Sequence, residues 1–269
     1  MRWVDFSEQR AFFRLTGPDR VRFLNGQVSN QVDRDLSALS IEACVCTLKG
    51  KVQSLIHITG DPDCEALLID AEIDQREDVF ERLDRYLIAD DCELEDVTGT
   101  VVLWHGFGED STAAENPETS RRSHRLGPKG WDVFEKPAGE SLERIQEGEI
   151  EELRIEFGIP KWGHELTGEE FPAEVGLDRR AVDFHKGCYL GQEVVSRIES
   201  VGRVKRGLCW VEGDQDLVCG PVLSEDVEVG KLTTVKGFQG LALLNRSFTS
   251  DVEESRLLNG LRLREFRSA

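Results

Sequence analysis

The sequence contains no long apolar run. No stretch approaches the roughly 20 apolar residues that a membrane-spanning helix needs, and the opening residues, MRWVDFSEQR, lack the apolar core of a signal peptide. Internal repeats and low-complexity tracts are absent as well. These absences predict a globular, cytoplasmic protein without a membrane partner.

The common metal-binding spacings are also missing. The chain has no CxxC, HxxxH or HExxH motif, and its five histidines are scattered. Its seven cysteines are an odd number without regular spacing, which favours free thiols in a reducing compartment over a disulfide framework. Only Cys44 and Cys46 lie close together, and we expect both to be small buried residues on one face of a strand. No metal site is predicted.

Basic residues are scarce relative to acidic ones. The 269 residues include 33 Lys and Arg against 52 Asp and Glu, which gives a formal net charge of -19. Such a charge repels nucleic acid and anionic lipid at long range, so no direct nucleic-acid partner is expected. An anionic ligand would therefore need a local basic pocket.

The spacing of apolar residues predicts an α+β fold. Helices are expected shortly after Thr16, from Asp74 to Ala89 and from Ser141 to Phe157, with strands between Ile41 and Asp70. The acidic, polar stretch from 109 to 118 predicts a surface loop. After residue 203 short apolar runs alternate with glycine turns, a pattern typical of a small barrel or sandwich.

The most unusual segment is FHKGCYLGQE, at 184–193. Its two glycines permit a tight turn and close approach of a ligand, and the apolar spacing that follows predicts a helix beginning at Gly191 or Gln192. Cys188 would then precede a helix N-terminus with Lys186 nearby, a placement that stabilises a thiolate. The alternative is an inert, buried Cys188 beside a solvated Lys186, and spacing alone does not separate the two.

Local charge favours the reactive thiol. Between residues 179 and 206 the sequence has seven basic residues and only three acidic ones, the reverse of the balance in the whole chain. Such a local inversion is expected where an anionic ligand docks. A basic surface loop is the weaker explanation.

The stretch KGCYLGQEVVSRIESVGRVKR resembles the signature of YgfZ-type proteins, the folate-binding relatives of the glycine-cleavage T-protein (aminomethyltransferase) that support iron–sulfur proteins. Three further blocks resemble the same family: LTGPDRVRFLNGQVSNQV, LRIEFGIPKWGHELTGEEFPAEVGL and VGKLTTVKGFQGLALLNR. The resemblance thus extends over most of the chain. It implies a three-domain cloverleaf around a central folate channel, with a C-terminal β-barrel.

The resemblance also implies domain limits and site residues. Residues 1–45 plus 150–200 would form the central folate-binding domain, 46–149 a ferredoxin-like α+β domain and 201–269 the barrel. Tetrahydrofolate or a derivative is the implied cofactor, with Glu174 on the pterin ring, Arg197 or Arg203 on the glutamate tail, and Arg125 near the channel. Tyr189, Gln192 and Glu193 are further candidate cofactor-binding residues, and Cys188 and Lys186 are the candidate catalytic residues.

One departure separates this chain from the T-proteins. Where they have two adjacent aspartates after a glycine pair, one of which acts on the folate nitrogen, this chain reads GKVQSL from Gly50 to Leu55. Because the carboxylate is missing, we expect classical aminomethyl transfer to be badly impaired.

The sequence therefore favours a folate-dependent accessory role in the assembly or repair of iron–sulfur clusters, with Cys188 facing the folate. Its expected partners are iron–sulfur assembly factors or client iron–sulfur enzymes, and an effect on tRNA modification would be indirect. Two alternatives stay open: a folate-dependent one-carbon transferase that uses another carboxylate, and a folate-binding scaffold in which Cys188 is inert.

Overall fold

A computed structural model describes residues 1–32, 36–108, 116, 118–137, 142–202, 204–224, 226–248, 261–264 and 266. The strands are β1 (Arg2–Asp5), β2 (Arg10–Thr16), β3 (Ile41–Cys46), β4 (Val52–Gly60), β5 (Leu67–Glu72), β6 (Glu93–Asp96), β7 (Trp104–Phe107), β8 (Ser120–Ser123), β9 (Gly130–Val133), β10 (Arg206–Gly213), β11 (Gly220–Ser224), β12 (Val227–Lys236), β13 (Gln239–Asn245) and β14 (Leu261–Arg264). The α-helices are α1 (Arg20–Gln27), α2 (Arg76–Asp84), α3 (Glu147–Phe157) and α4 (Gln192–Val201).

The strands form three sheets. Sheet I has the order β3-β4-β5-β2-β6, sheet II the order β1-β7-β9-β8 and sheet III the order β11-β12-β13-β10-β14. All of the pairings between these strands are antiparallel. The predicted mixture of helices and strands is thus confirmed.

Sheet I is covered on both faces, which explains its apolar strands. On one face, Phe23 of α1 and Leu83 of α2 pack with Phe13 and Ile56 in a single core cluster. The opposite face carries Cys44 and Cys46, which pack with residues of the segment 162–195. Phe12 and Leu68 belong to a third cluster. This cluster also contains residues that precede or follow strands of sheet II along the chain. Sheet I therefore lies at the centre of the described structure.

The expectation for the two neighbouring cysteines is confirmed. Cys44 and Cys46 are fully buried in the same cluster. Burial raises the pKa of Cys46 to about 12 and that of Cys44 well above its ordinary value. Both are therefore protonated packing residues at neutral pH.

Several predicted elements are confirmed, but two helix limits are wrong. The helix expected from Ser141 begins only at Glu147, because Trp3 of β1 pairs with the preceding residues through Trp3 N to Glu143 O and Ile145 N to Trp3 O. Its end is confirmed by Gly158, which has the left-handed φ of a helix C-cap. The helix expected to reach Ala89 ends at Asp84, after which the backbone tightens into i to i−3 hydrogen bonds.

One strand and one helix each span a predicted domain limit. β3 spans the limit at 45/46 and shares sheet I with β2, β4, β5 and β6. Similarly, α3 spans the limit at 149/150. The three-domain division stays a prediction.

Sheet III contains all the strands described after residue 202, as the glycine-punctuated pattern predicts. Within the described residues, β11 and β14 are its two edges and are not paired with each other, so the expected closed barrel is seen only as an open sheet. The loop predicted at 109–118 lies mostly outside the described residues. None of the helices in the described ranges has the length and apolar character needed to cross a membrane.

Candidate functional site

The thiol lies on a turn that packs tightly against the β3–β4 turn. Gly191 precedes α4 with a left-handed φ of 88°. A Cβ at Gly191 would lie 2.4 Å from the carbonyl oxygen of Thr47 and 3.3 Å from the Cα of Gly50. Because two backbone segments meet at this point, only glycine fits there. The turn holds Cys188 on the protein surface, where it is exposed.

Replacement of Gly191 by Ala is expected to lower the free energy of unfolding by about 1–3 kcal/mol, because Ala is strained at positive φ and its Cβ would collide with Thr47. Urea denaturation measures the change. Gly187→Ala is the matched control, since a Cβ at Gly187 meets nothing within 4 Å. Equal stability of the two variants would contradict the tight packing of the turn.

Lys186 is buried and ties the turn to α1. Its Nζ donates hydrogen bonds of 2.7 Å to the carbonyl oxygens of Asn25, Val28 and Asn30. These carbonyls lie at and just beyond the C-terminal end of α1, where helix carbonyls lack partners within the helix. The ammonium also lies 5.2 Å from the centre of the Tyr189 ring. Lys186 thus positions the turn that carries Cys188.

The other predicted residues of the signature lie on the turn and the start of α4. Tyr189 is buried, its hydroxyl has no hydrogen-bond partner among the described residues, and burial raises its pKa. Gln192 is half-buried and begins α4. Exposed Glu193 accepts a hydrogen bond of 2.6 Å from Arg197 Nη2 one helical turn later. Arg203 lies outside the described residues.

Glu174 lines a cavity of about 720 Å³, termed the large cavity. Its carboxylate is buried at the end of the 3₁₀ turn Pro172–Glu174, where Oε2 accepts from the backbone N–H of Phe171 at 3.0 Å and Oε1 from Arg206 Nε at 3.3 Å. The cavity is also lined by Asp178, three guanidinium groups and two phenylalanine rings: Arg179, Arg180, Arg246, Phe157 and Phe266. It therefore combines aromatic surface with positive charge.

Arg125 lines a second cavity of about 100 Å³, the small cavity. Its guanidinium donates two hydrogen bonds of 2.9 Å to Asp70 and bonds of 2.9 and 3.2 Å to Asp132. Asp70 also accepts from Arg10 at 2.6 Å. Burial alone would raise the pKa of Asp70, but Arg125 and Arg10 bring it to about 2. This set of buried charges is internally paired.

The two cavities are adjacent. Glu42 lines the small cavity and Arg180 the large one, and Arg180 Nε lies 2.9 Å from Glu42 Oε2. Burial would raise the pKa of Glu42, but Arg180 and then His57 outweigh it and lower the pKa to about 2. The Glu42–Arg180 ion pair therefore forms part of the wall between them.

The structure separates the predicted site residues into two groups. Glu174 and Arg125 line the two cavities, whereas Cys188 lines neither of them and is open to solvent. The groups are joined through α4, whose Val195 and Ile198 face the Pro172–Glu174 turn across a narrow crevice. The expectation that Cys188 faces a bound folate therefore stays a prediction, and neither of these two cavities places the thiol on its wall.

Sequence reasoning missed three buried polar residues of sheet I. Glu42, His57 and Asp70 occupy interior positions of β3, β4 and β5 and are buried. A charged residue in the middle of an otherwise apolar strand is the signal that could have identified them, because an ionised group is buried only where it is paired.

The chain resembles known proteins in sequence and in fold. The chain is 27% identical to the tRNA-modifying protein YgfZ of Yersinia pseudotuberculosis, with 81% of this chain and 72% of the relative aligned. The YgfZ proteins of Shigella dysenteriae and Escherichia coli O127:H6 are likewise 27% identical, with 81% of this chain and 74% of each relative aligned. The resemblance to YgfZ-type proteins is confirmed. A scan against protein-family models found no match.

The fold extends the YgfZ resemblance to the T-proteins. The glycine cleavage system aminomethyltransferase T from Bartonella henselae superposes with a TM-score of 0.80 over 98% of this chain and 84% of that protein, at 17% sequence identity. The chain therefore has the T-protein fold. Ser54, in the GKVQSL segment, is buried and donates a hydrogen bond of 2.8 Å to Gln75 Oε1.

Proposed function

We propose that this chain binds a tetrahydrofolate in the large cavity and supports tRNA modification in the cytoplasm, acting through iron–sulfur enzymes. The observation that carries the proposal is the position of Glu174, a buried carboxylate in a cavity lined by guanidinium groups, within a T-protein fold. The name of its YgfZ relatives supplies the link to tRNA modification.

The large cavity suits a folate in size and chemistry. Its volume of about 720 Å³ falls within the roughly 300–1,000 Å³ usual for small-molecule sites. A carboxylate such as Glu174 can accept from neighbouring N–H donors of a pterin ring, and Phe157 and Phe266 offer apolar ring surface. The arginines match the carboxylates of a glutamate tail.

Cys188 serves a protein partner in this proposal. An exposed thiol on a rigid turn is open to an iron–sulfur assembly factor or client enzyme, whereas a folate held in the large cavity would not meet it directly. Lys186 keeps the turn in place by binding three carbonyls of the α1 end. Folate and thiol then act at two neighbouring places on one protein.

Replacement of Glu174 by Gln is expected to weaken binding of 5-formyltetrahydrofolate by about tenfold, because a hydrogen bond to a charged carboxylate is lost. Isothermal titration calorimetry measures the dissociation constant. Glu77→Gln, an exposed position on α2, is the control for the change of charge. Unchanged affinity in Glu174→Gln would remove Glu174 from the site, and absence of binding to the unmodified chain would refute the proposed function.

A further inference from the structure

Arg180 lies between the buried carboxylate of Glu42 and the large cavity. Its Nε lies 2.9 Å from the buried carboxylate of Glu42, and its side chain, 22% exposed, borders the large cavity. Nη2 is buried without a hydrogen-bond partner in the described part of the chain. One edge of the guanidinium is thus held by an anion while the Nη groups keep donors to spare.

The backbone around Arg180 is fixed as firmly as its side chain. The side-chain amide of Asn30 donates to the carbonyl of Glu42 at 2.7 Å and to the carbonyl of Arg180 at 3.2 Å, so it joins the two residues. Next to Asn30, Ser29 Oγ donates to the carbonyl of Ala181 and accepts from the N–H of Cys44. The guanidinium therefore meets a ligand without first having to be ordered.

The other arginines of the large cavity lack this arrangement. Arg206, which pairs with Glu174 and Glu170, is not among the residues that line the cavity. Arg246 donates to the backbone carbonyl of Ala173 at 3.3 Å, and Arg179 is exposed. Among the arginines that line the large cavity, Arg180 is the one whose guanidinium lies against a buried carboxylate in the described structure.

We infer that Arg180, positioned by Glu42, binds a carboxylate of the ligand in the large cavity and thereby selects folates that carry a glutamate tail over those that lack it. The inference rests on the proposed function. A guanidinium held through Nε can bind a carboxylate through its Nη groups. Arginine is most selective in this planar, charge-assisted geometry. Glu174 and Arg180 then recognise different parts of one molecule.

The test compares two ligands on the same protein. Dissociation constants of 5-formyltetrahydrofolate and of 5-formyltetrahydropteroate, which has no glutamate, are measured by calorimetry on the full chain. Arg180→Gln is expected to weaken binding of the folate by about tenfold and of the pteroate by less than about twofold, since only the folate loses a charge-assisted pair. Because each protein supplies its own ratio of the two constants, partial unfolding of a variant does not alter the result.

Four further variants sharpen the comparison. Arg180→Lys should keep part of the preference for the folate, and Glu42→Gln should reduce it without contact to the ligand. Arg85→Gln, an exposed position after α2, should leave the ratio unchanged. Arg197→Gln should do the same, because Arg197 is paired with Glu193 on the outer face of α4.

The outcomes separate the inference from the proposed function. An Arg180→Gln protein that prefers the folate as strongly as the unmodified chain overturns the inference, as does loss of the preference in Arg197→Gln alone. Failure of the unmodified chain to bind either ligand overturns the proposed function instead. Loss of the preference in Arg180→Gln, with the Arg85 and Arg197 variants unaffected, supports the inference.

Discussion

Replacement of Arg125 by Met is expected to destabilise the fold by about 3–5 kcal/mol, the cost of removing one partner from a buried ion pair. Arg125 donates four hydrogen bonds to Asp70 and Asp132, and all three side chains are buried. Without Arg125, Asp70 keeps Arg10, whereas Asp132 keeps the neighbouring ring of His105 at 2.7 Å. Two buried carboxylates would then be left with too little positive charge.

Urea denaturation at neutral pH measures the loss. Arg22→Met is the matched control, because Arg22 is an exposed arginine that also contacts two carboxylates, Asp19 and Asp90, and its removal should leave the midpoint unchanged. If the Arg125 variant unfolds at the same urea concentration as the Arg22 variant, the buried network does not stabilise the protein.

Replacement of Cys188 by Ala is expected to abolish support for tRNA modification in cells while folding and folate binding stay unchanged. Cys188 is exposed and lines neither cavity, so its loss leaves the core and the proposed folate site intact. The proposed role needs a thiolate, and alanine cannot supply one. This variant should therefore lose its support for tRNA modification and keep its folate binding.

The measurement is the level of iron–sulfur-dependent tRNA thiolation in bacteria that lack their own YgfZ and express the full chain. Cys64→Ala and Cys219→Ala are the controls, since both thiols are also exposed, and both variants should restore thiolation. Full restoration by the Cys188→Ala protein would rule out the thiol and favour the scaffold interpretation. Loss of folate binding in the Cys188→Ala protein would contradict the proposal that the thiol and the folate lie at separate places.

The sequence predicted secondary structure well where that structure depends on residues close together in the chain. The apolar strands β3 to β5, the helix after Gly191 and the helix end at Gly158 follow from residue pattern and glycine chemistry alone. The burial of Cys44 and Cys46 followed from strand alternation. The start of α3 did not, because its preceding residues pair with Trp3, which is distant in sequence.

Among the predicted site residues, Glu174 and Arg125 line the two cavities and Cys188 lines neither, while the position of Cys188 relative to a bound folate stays a prediction. Sequence reasoning missed Glu42 and counted Arg180 only as part of a basic stretch. Their pairing joins residues 138 positions apart, and no local pattern records such a contact.

By itself the sequence determined the helices and strands, the glycine turn that carries the thiol, and the resemblance to YgfZ-type proteins, because each depends on residues that are neighbours in the chain. Only the tertiary structure decided which charges are buried together, that the thiol faces solvent, and that an ion pair lies between two cavities. These features depend on how distant strands and turns pack, since burial and charge pairing are properties of the folded neighbourhood.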